Sequence, residues 1–216
     1  MIAVSFYSAD DVKADQEFIL SSLPFGSAEA NRLSKIHNFE TKSESLAALI
    51  ALRSITDRIG TSTDITIQRQ KSGKPVFKGS SLHFSLSHSN GLAVAVLSDV
   101  PVGIDIELIR DNKNFLNIAK RFFTADEYLK ISKSDYPNEI FYLFWTQKEA
   151  FSKISGDGML SECAKETSPD NSVLIKKYRV FFKNSIFSLS ICAKDSLDTN
   201  INIYPYEELK LYEIQD

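Results

Sequence analysis

Apolar and polar side chains alternate from Ala3 to Tyr7, which predicts a short strand. The spacing becomes helical over Asp10 to Leu20 and is interrupted by Pro24-Phe25-Gly26. Ser27 is placed to cap a second helix running towards Phe39. Thr41 and Glu44 have capping-box spacing ahead of Leu46, Leu49, Ile50 and Ile55, so a long helix is expected to end near Gly60. Strand-like runs follow at Ile65 to Gln68, Leu82 to Ser87 and Leu92 to Leu97. The last two are separated by Ser89-Asn90-Gly91, whose Asn-Gly pair favours a tight hairpin. After Val100-Pro101 a fourth strand runs from Val102 to Leu108.

The second half opens with helical spacing in Phe115, Ile118, Ala119 and Phe122. Thr124 and Glu127 then form a second capping-box pair, opening a helix through Ile131. A longer helix is expected from Ile140 to Ser155, ending before Gly156 and Gly158, and the polar stretch Ser161 to Asn171 reads as a loop. Two β-rich runs, Tyr178 to Phe182 and Ser185 to Ala193, meet at Lys183-Asn184, and Ile201 to Tyr204 is a last strand. Helices followed by strands, twice over, predict an α+β fold. Its two similar halves, residues 1–104 and 105–216, pack as a pseudo-dimer within one chain.

Composition narrows the class. A chain that is 43% hydrophobic and 25% charged matches a soluble globular protein, and no apolar run approaches the ~20 residues that span a bilayer. Met1-Ile2-Ala3-Val4-Ser5-Phe6 has no basic segment before an apolar block, so a cytoplasmic protein is expected. Cys163 and Cys192 are too few for a disulfide framework and read as structural. A net charge of −3 argues against long nucleic acid as the partner. Clusters at Arg32 to Lys35, Arg69 to Lys74 and Lys148 to Lys153 leave room for a small polyanion, although such clusters are usually solvated charge.

The strongest chemical signal is Asp105 with Glu107. Strand periodicity puts both on one face, with Val102, Ile104, Ile106 and Leu108 on the other. Two carboxylates so spaced suit a hard cation such as magnesium, and equally suit a strand with one wet face. On the helix that follows, 100° per residue sets Ile140, Phe144, Phe151 and Ile154 opposite Glu149, with Trp145, Ser152 and Lys153 beside it. Glu149 and Lys153 therefore share a face opposite the expected core stripe, where they are either site residues or a surface ion pair. Trp145 on that face favours a cleft or a contact with another element. His88 ends a strand inside Ser87-His88-Ser89, a position suited to phosphate. Serine-hydrolase chemistry fits poorly, because neighbouring strand residues point to opposite faces and no nucleophile elbow is present.

Together Gly73-Lys74-Pro75, Ser87-His88-Ser89, Gly103-Ile104-Asp105-Ile106-Glu107 and Trp145-Thr146-Gln147-Lys148-Glu149-Ala150-Phe151-Ser152-Lys153 resemble, in content and order, the motifs of the surfactin-type phosphopantetheinyl transferases. The segment Ala119 to Thr124 with Glu127 is similar to the stretch before that family's catalytic helix. The resemblance implies magnesium on Asp105, Glu107 and Glu149, in contact with the pyrophosphate of coenzyme A. Lys153 and His88 would contact that pyrophosphate, with Lys148 assisting. Lys74, Arg32 and Lys35 would hold the 3′-phosphate end, and Ser87 would line the nucleotide pocket. Glu149, directly or through water, would accept the proton of the carrier-protein serine. A monomer acting on a transiently bound acyl or peptidyl carrier protein is implied, with a catalytically idle coenzyme A-binding module of the same fold as the alternative. Ser43-Glu44-Ser45 departs from the family, which often has a basic residue near the adenine there. Glu127 is explained by its cap position without any catalytic role.

Overall fold

The computed structural model describes residues 1–61, 65–111, 114–156, 173–194 and 200–215. Gly158, Ser161 to Asn171 and Cys163 lie outside the described residues. Strand β1 (Ile2–Ser8) runs through the middle of a four-stranded sheet. Its antiparallel neighbour is β5 (Leu92–Ser98), itself hairpinned to β4 (His83–Ser89). The hairpin loop is Asn90-Gly91, with φ of 48° and 82°. Two successive left-handed residues are what a two-residue turn needs to match strand twist, so the Asn-Gly expectation holds.

Between β1 and β4 the chain does not form the continuous helix expected over Asp10 to Leu20. Ala9–Asp11 closes as a 3-10 turn, and α1 (Gln16–Ser22) starts afresh. After α2 (Ser27–Ser34), where Gly26 rather than Ser27 is the cap residue, comes the long α3 (Phe39–Arg58). The Thr41–Glu44 capping box is not formed. The Asn38 side chain accepts the Thr41 N–H at 2.9 Å, so the helix begins earlier and Glu44 is released for another contact. Leu46, Leu49, Leu52 and Ile55 of α3 cover one face of the sheet, against Ala93, Ala95 and Leu97. A short ribbon of β2 (Ile67–Arg69) and β3 (Pro75–Phe77) carries the Gly73-Lys74 turn.

The second sheet has the order β10-β7-β8-β6. It is built from β6 (Val102–Leu108), β7 (Val173–Phe182), β8 (Ser185–Lys194) and the short β10 (Lys210–Glu213). Strand β9 (Ile201–Tyr204) leaves this half and pairs in parallel with β1 in the first sheet. Residue 104 falls inside β6. The two sheets share a core in which Ile2, Val4, Phe6, Val94 and Val96 meet Ile104, Ile106, Val180, Leu189 and Ile191. Helices α4 (Phe115–Phe122), α5 (Ala125–Lys133) and α6 (Pro137–Ser155) complete the second half, and α6 lies against β6 and β8. Each half thus joins a four-stranded sheet to one long helix, the α+β arrangement expected.

The buried residues of α6 differ from the expected stripe. Thr146 and Ala150 are buried towards the sheet and Phe141, Tyr142, Lys148 and Ser152 are buried as well, whereas Ile140, Phe144, Phe151 and Ile154 are only partly covered. The reason is close approach: small and hydroxylic residues let the helix backbone sit on β6 and β8. Thr146 Oγ1 is 3.1 Å from Ser188 Oγ and 2.9 Å from Ser190 Oγ. At Gly103 an added Cβ would lie 1.9 Å from the Ala150 carbonyl oxygen. Gly103→Ala must push α6 off the sheet and is expected to destabilise the fold by about 2–4 kcal/mol, read by urea unfolding. An unchanged midpoint would contradict this seating of the helix.

Candidate active site

Strand β6 is the edge of its sheet and bonds to β8 on one side only. Its remaining N–H groups are taken up by serines of β4. Ile104, Ile106 and Leu108 donate to Ser85, Ser87 and Ser89 Oγ at 3.3, 3.3 and 3.1 Å. Two of these hydroxyls pass their own protons to acids of β6: Ser87 to Asp105 Oδ1 at 2.8 Å and Ser89 to Glu107 Oε2 at 2.9 Å. Each serine therefore accepts from a backbone amide and donates to a carboxylate, which uses its bonding capacity and fixes both acids on one face.

Helix α6 brings Glu149 and Lys153 to that same face. Because the buried stripe runs through Thr146 and Ala150, these two side chains border the helix–sheet contact rather than standing opposite it. Lys153 Nζ donates to Asp105 Oδ1 at 2.7 Å, Ser87 Oγ at 3.1 Å and the Ile104 carbonyl at 3.0 Å. Asp105 is 4% exposed, yet its Oδ2 has no partner among the described residues. Burial and then the negative charge of Asp105 push the Glu107 carboxyl above the ordinary carboxylate range, despite the Ser89 hydrogen bond. Burial and Asp105 do the same to Glu149, with Lys153 opposing.

A cavity of about 220 Å³ opens between the halves, lined by Lys74, Phe84, Leu86, Glu149, Ser152 and Lys153 among others. Lys74 reaches across it and donates to the Ile154 carbonyl at the end of α6. Its amine is pushed below its ordinary range by burial. Glu107 lines a second cavity, walled also by Ile118, Phe141, Tyr142 and Trp145. Trp145 stacks on Phe141 of its own helix at 5.7 Å and meets the Phe122 ring of α4 edge-on at 6.4 Å, so it packs on a neighbouring element as anticipated.

Of the other predicted residues, Ser87 belongs to this cluster and the rest lie apart from it. Ser87 is buried, and its hydroxyl serves Asp105 and Ile106 rather than an open pocket. Arg32 Nε donates at 2.9 Å to the buried Glu29, which Arg69 also holds at 3.0 Å, while Lys35 is exposed at the end of α2. Lys148 is fully buried, 3.0 Å from Glu127, on a different side of α6 from Lys153. The 3.6-residue period turns it from Glu149 towards α5, where Glu127 completes the capping box with Thr124. His88 Nδ1 pairs with Glu44 Oε2 at 2.9 Å. Ser85 went unnamed in the sequence reading, Ser89 entered it only within a motif and Glu44 as half of a capping box; the period-two spacing of Ser85, Ser87 and Ser89 was the available signal.

Among the described residues, no three His, Cys, Asp or Glu side chains are already gathered as a metal cluster. The donor set nonetheless fits a small hard cation. It offers carboxylate oxygens, a buried Oδ2 without a partner, and two glutamates whose charge is disfavoured where they stand. Among the described residues no helix is long and apolar enough to cross a membrane.

A model of the 4′-phosphopantetheinyl transferase superfamily matches residues 101–193. The 4′-phosphopantetheinyl transferase psf-1 of Bacillus pumilus is 39% identical over 118 residues, 52% of this chain and 50% of that protein. The 4′-phosphopantetheinyl transferase Sfp of Bacillus subtilis strain 168 is 31% identical over 165 residues, 68% of this chain and 71% of that protein. A further 4′-phosphopantetheinyl transferase of Bacillus subtilis is 32% identical over 156 residues, 65% of this chain and 68% of that protein. The chain thus aligns with half of the first relative's length and about two thirds of the other two.

The raised glutamates make a signed prediction. A folded state that holds a proton more tightly than the unfolded chain loses stability as pH climbs from the ordinary glutamate value of 4.5 through the raised one. Glu107→Gln removes that loss. In chelator at pH 7.5 the variant is expected to melt about 2–4 °C above the parent, with the gap closing near pH 4. A parent more stable than the variant at pH 7.5 would refute the repulsion between these acids.

Proposed function

The chain belongs to the 4′-phosphopantetheinyl transferase superfamily, and from that membership we propose that it moves the 4′-phosphopantetheine arm of coenzyme A onto a serine of an apo carrier protein. The observation that carries this reading is the meeting of Asp105 on β6 with the α6 residue Lys153, both touched by Ser87 from the first half, beside a carboxylate oxygen without a partner among the described residues.

In this reading Asp105, Glu107 and Glu149 hold Mg²⁺, which supplies charge stabilisation on the pyrophosphate oxygens. Lys153 turns from Asp105 to the pyrophosphate, where an ammonium offsets the charge that builds as the leaving group departs. His88 borders the same phosphates. Lys74 at the cavity edge, with Arg32 and Lys35 on α2, serves the 3′-phosphate end. The serine oxygen bonds to the β-phosphorus, the phosphoanhydride bond breaks, and 3′,5′-ADP leaves. Glu149 accepts the serine proton, directly or through a water. Its place in the wall of the cavity, next to Lys153, supports that role. A single copy of the chain supplies every side chain named.

Incubation with coenzyme A, Mg²⁺ and an apo carrier protein is expected to add one phosphopantetheine mass to the carrier. Chelator should abolish the transfer, and Glu149→Gln should lower kcat by about 100-fold or more while leaving the circular dichroism unchanged. Failure with every carrier that a known transferase modifies under the same conditions would sink the enzymatic reading. If Mg²⁺-dependent coenzyme A binding persisted alongside that failure, the idle binding module would take its place.

A further inference from the structure

Glu44 stands on α3 where the transferases often carry a basic residue, and nothing in the proposed chemistry uses it. Its two oxygens grip one hairpin from two sides. Oε2 lies 2.9 Å from His88 Nδ1, and Oε1 accepts the Gly91 N–H at 2.7 Å. The side chain is 16% exposed, so these bonds are made largely out of water. Burial pushes this carboxyl up, but the bonds from His88 and Gly91 outweigh it and hold Glu44 below the ordinary carboxylate range. Lys13, the nearby cation, is itself engaged by Asp10 at 3.0 Å and Glu40 at 2.8 Å.

The geometry points to Glu44 as a positioning residue that fixes the imidazole of His88 for a phosphate of coenzyme A. On β4, Phe84 and Leu86 line the cavity between the halves, and strand periodicity puts residue 88 on the same face one step further along. A carboxylate on Nδ1 demands a proton there. It also commits that edge of the ring to α3 and leaves Nε2, which donates once the ring carries its second proton, as the edge that can meet a phosphate. The second bond, to Gly91, ties the turn after His88 to the same carboxylate, so neither ring nor hairpin can rotate independently. Glu44 acts through His88 and touches no reacting atom.

This role for the phosphate rests on the transferase reading, but the ring contact does not, and two measurements separate them. Nitrogen-15 spectra of the coenzyme A-free protein, taken at alkaline pH where imidazoles are neutral, should show the His88 proton on Nδ1. In Glu44→Ala it should redistribute towards Nε2. Titration calorimetry with coenzyme A and Mg²⁺ should show binding weakened about ten-fold by Glu44→Ala, largely restored by Glu44→Asp, and not further weakened when Glu44→Ala is added to His88→Ala. In turnover, KM for coenzyme A should rise with kcat nearly unchanged. A His88 spectrum indifferent to Glu44→Ala overturns the proposal, and so does an equal loss of affinity with and without His88. If the parent protein bound no coenzyme A, the transferase reading would fall while the spectrum still decided whether Glu44 holds the ring.

Discussion

An edge strand facing another sheet presents N–H groups that must find acceptors, and here they find serine hydroxyls. Ser85, Ser87 and Ser89 stitch β4 to the free edge of β6. Backbone groups buried without partners cost as much as a lost hydrogen bond, so this junction has little freedom to slip. A slip of one residue would set Phe84 and Leu86 against those amides in place of the hydroxyls. The position of Asp105 and Glu107 relative to α6 follows from that register, because the same serines donate to both acids.

The price of the arrangement is electrostatic. Two glutamates near a buried aspartate are held in their charged form at a disadvantage, and Lys153 offsets the repulsion only in part. Its ammonium occupies one oxygen of Asp105, and the other has no partner among the described residues. A divalent cation would satisfy what one lysine cannot, and would free the lysine to meet a phosphate. On the proposed reading, lowered stability of the resting protein and affinity for a charged substrate would be two consequences of the same acids.

Much of this was legible in the chain. Period two placed Asp105 and Glu107 on one face, Asn90-Gly91 fixed the hairpin, and Thr124 with Glu127 marked the start of α5. Other features depended on tertiary contact. The face of α6 that is buried was misjudged because hydrophobicity favours Ile140 and Phe144, whereas the sheet accepts only small residues where Gly103 lets the helix backbone come close. Glu44 looked like half of a capping box because Thr41 is three residues before it; Asn38 took the cap instead, and only the fold brings His88 within reach. The basic cluster around Lys148 divides for a similar reason. Lys153 faces the acids and Lys148 faces α5, five residues apart on one helix.

The most direct test is a crystal structure of the protein with coenzyme A and Mn²⁺, with diffraction recorded at the manganese edge. One anomalous peak is expected in contact with Asp105 and Glu107 and facing Glu149, with Lys153 Nζ shifted from Asp105 to the pyrophosphate. A peak elsewhere, or a pyrophosphate bound while Lys153 stays on Asp105, would contradict the idea that these acids and this lysine form one cation and phosphate site.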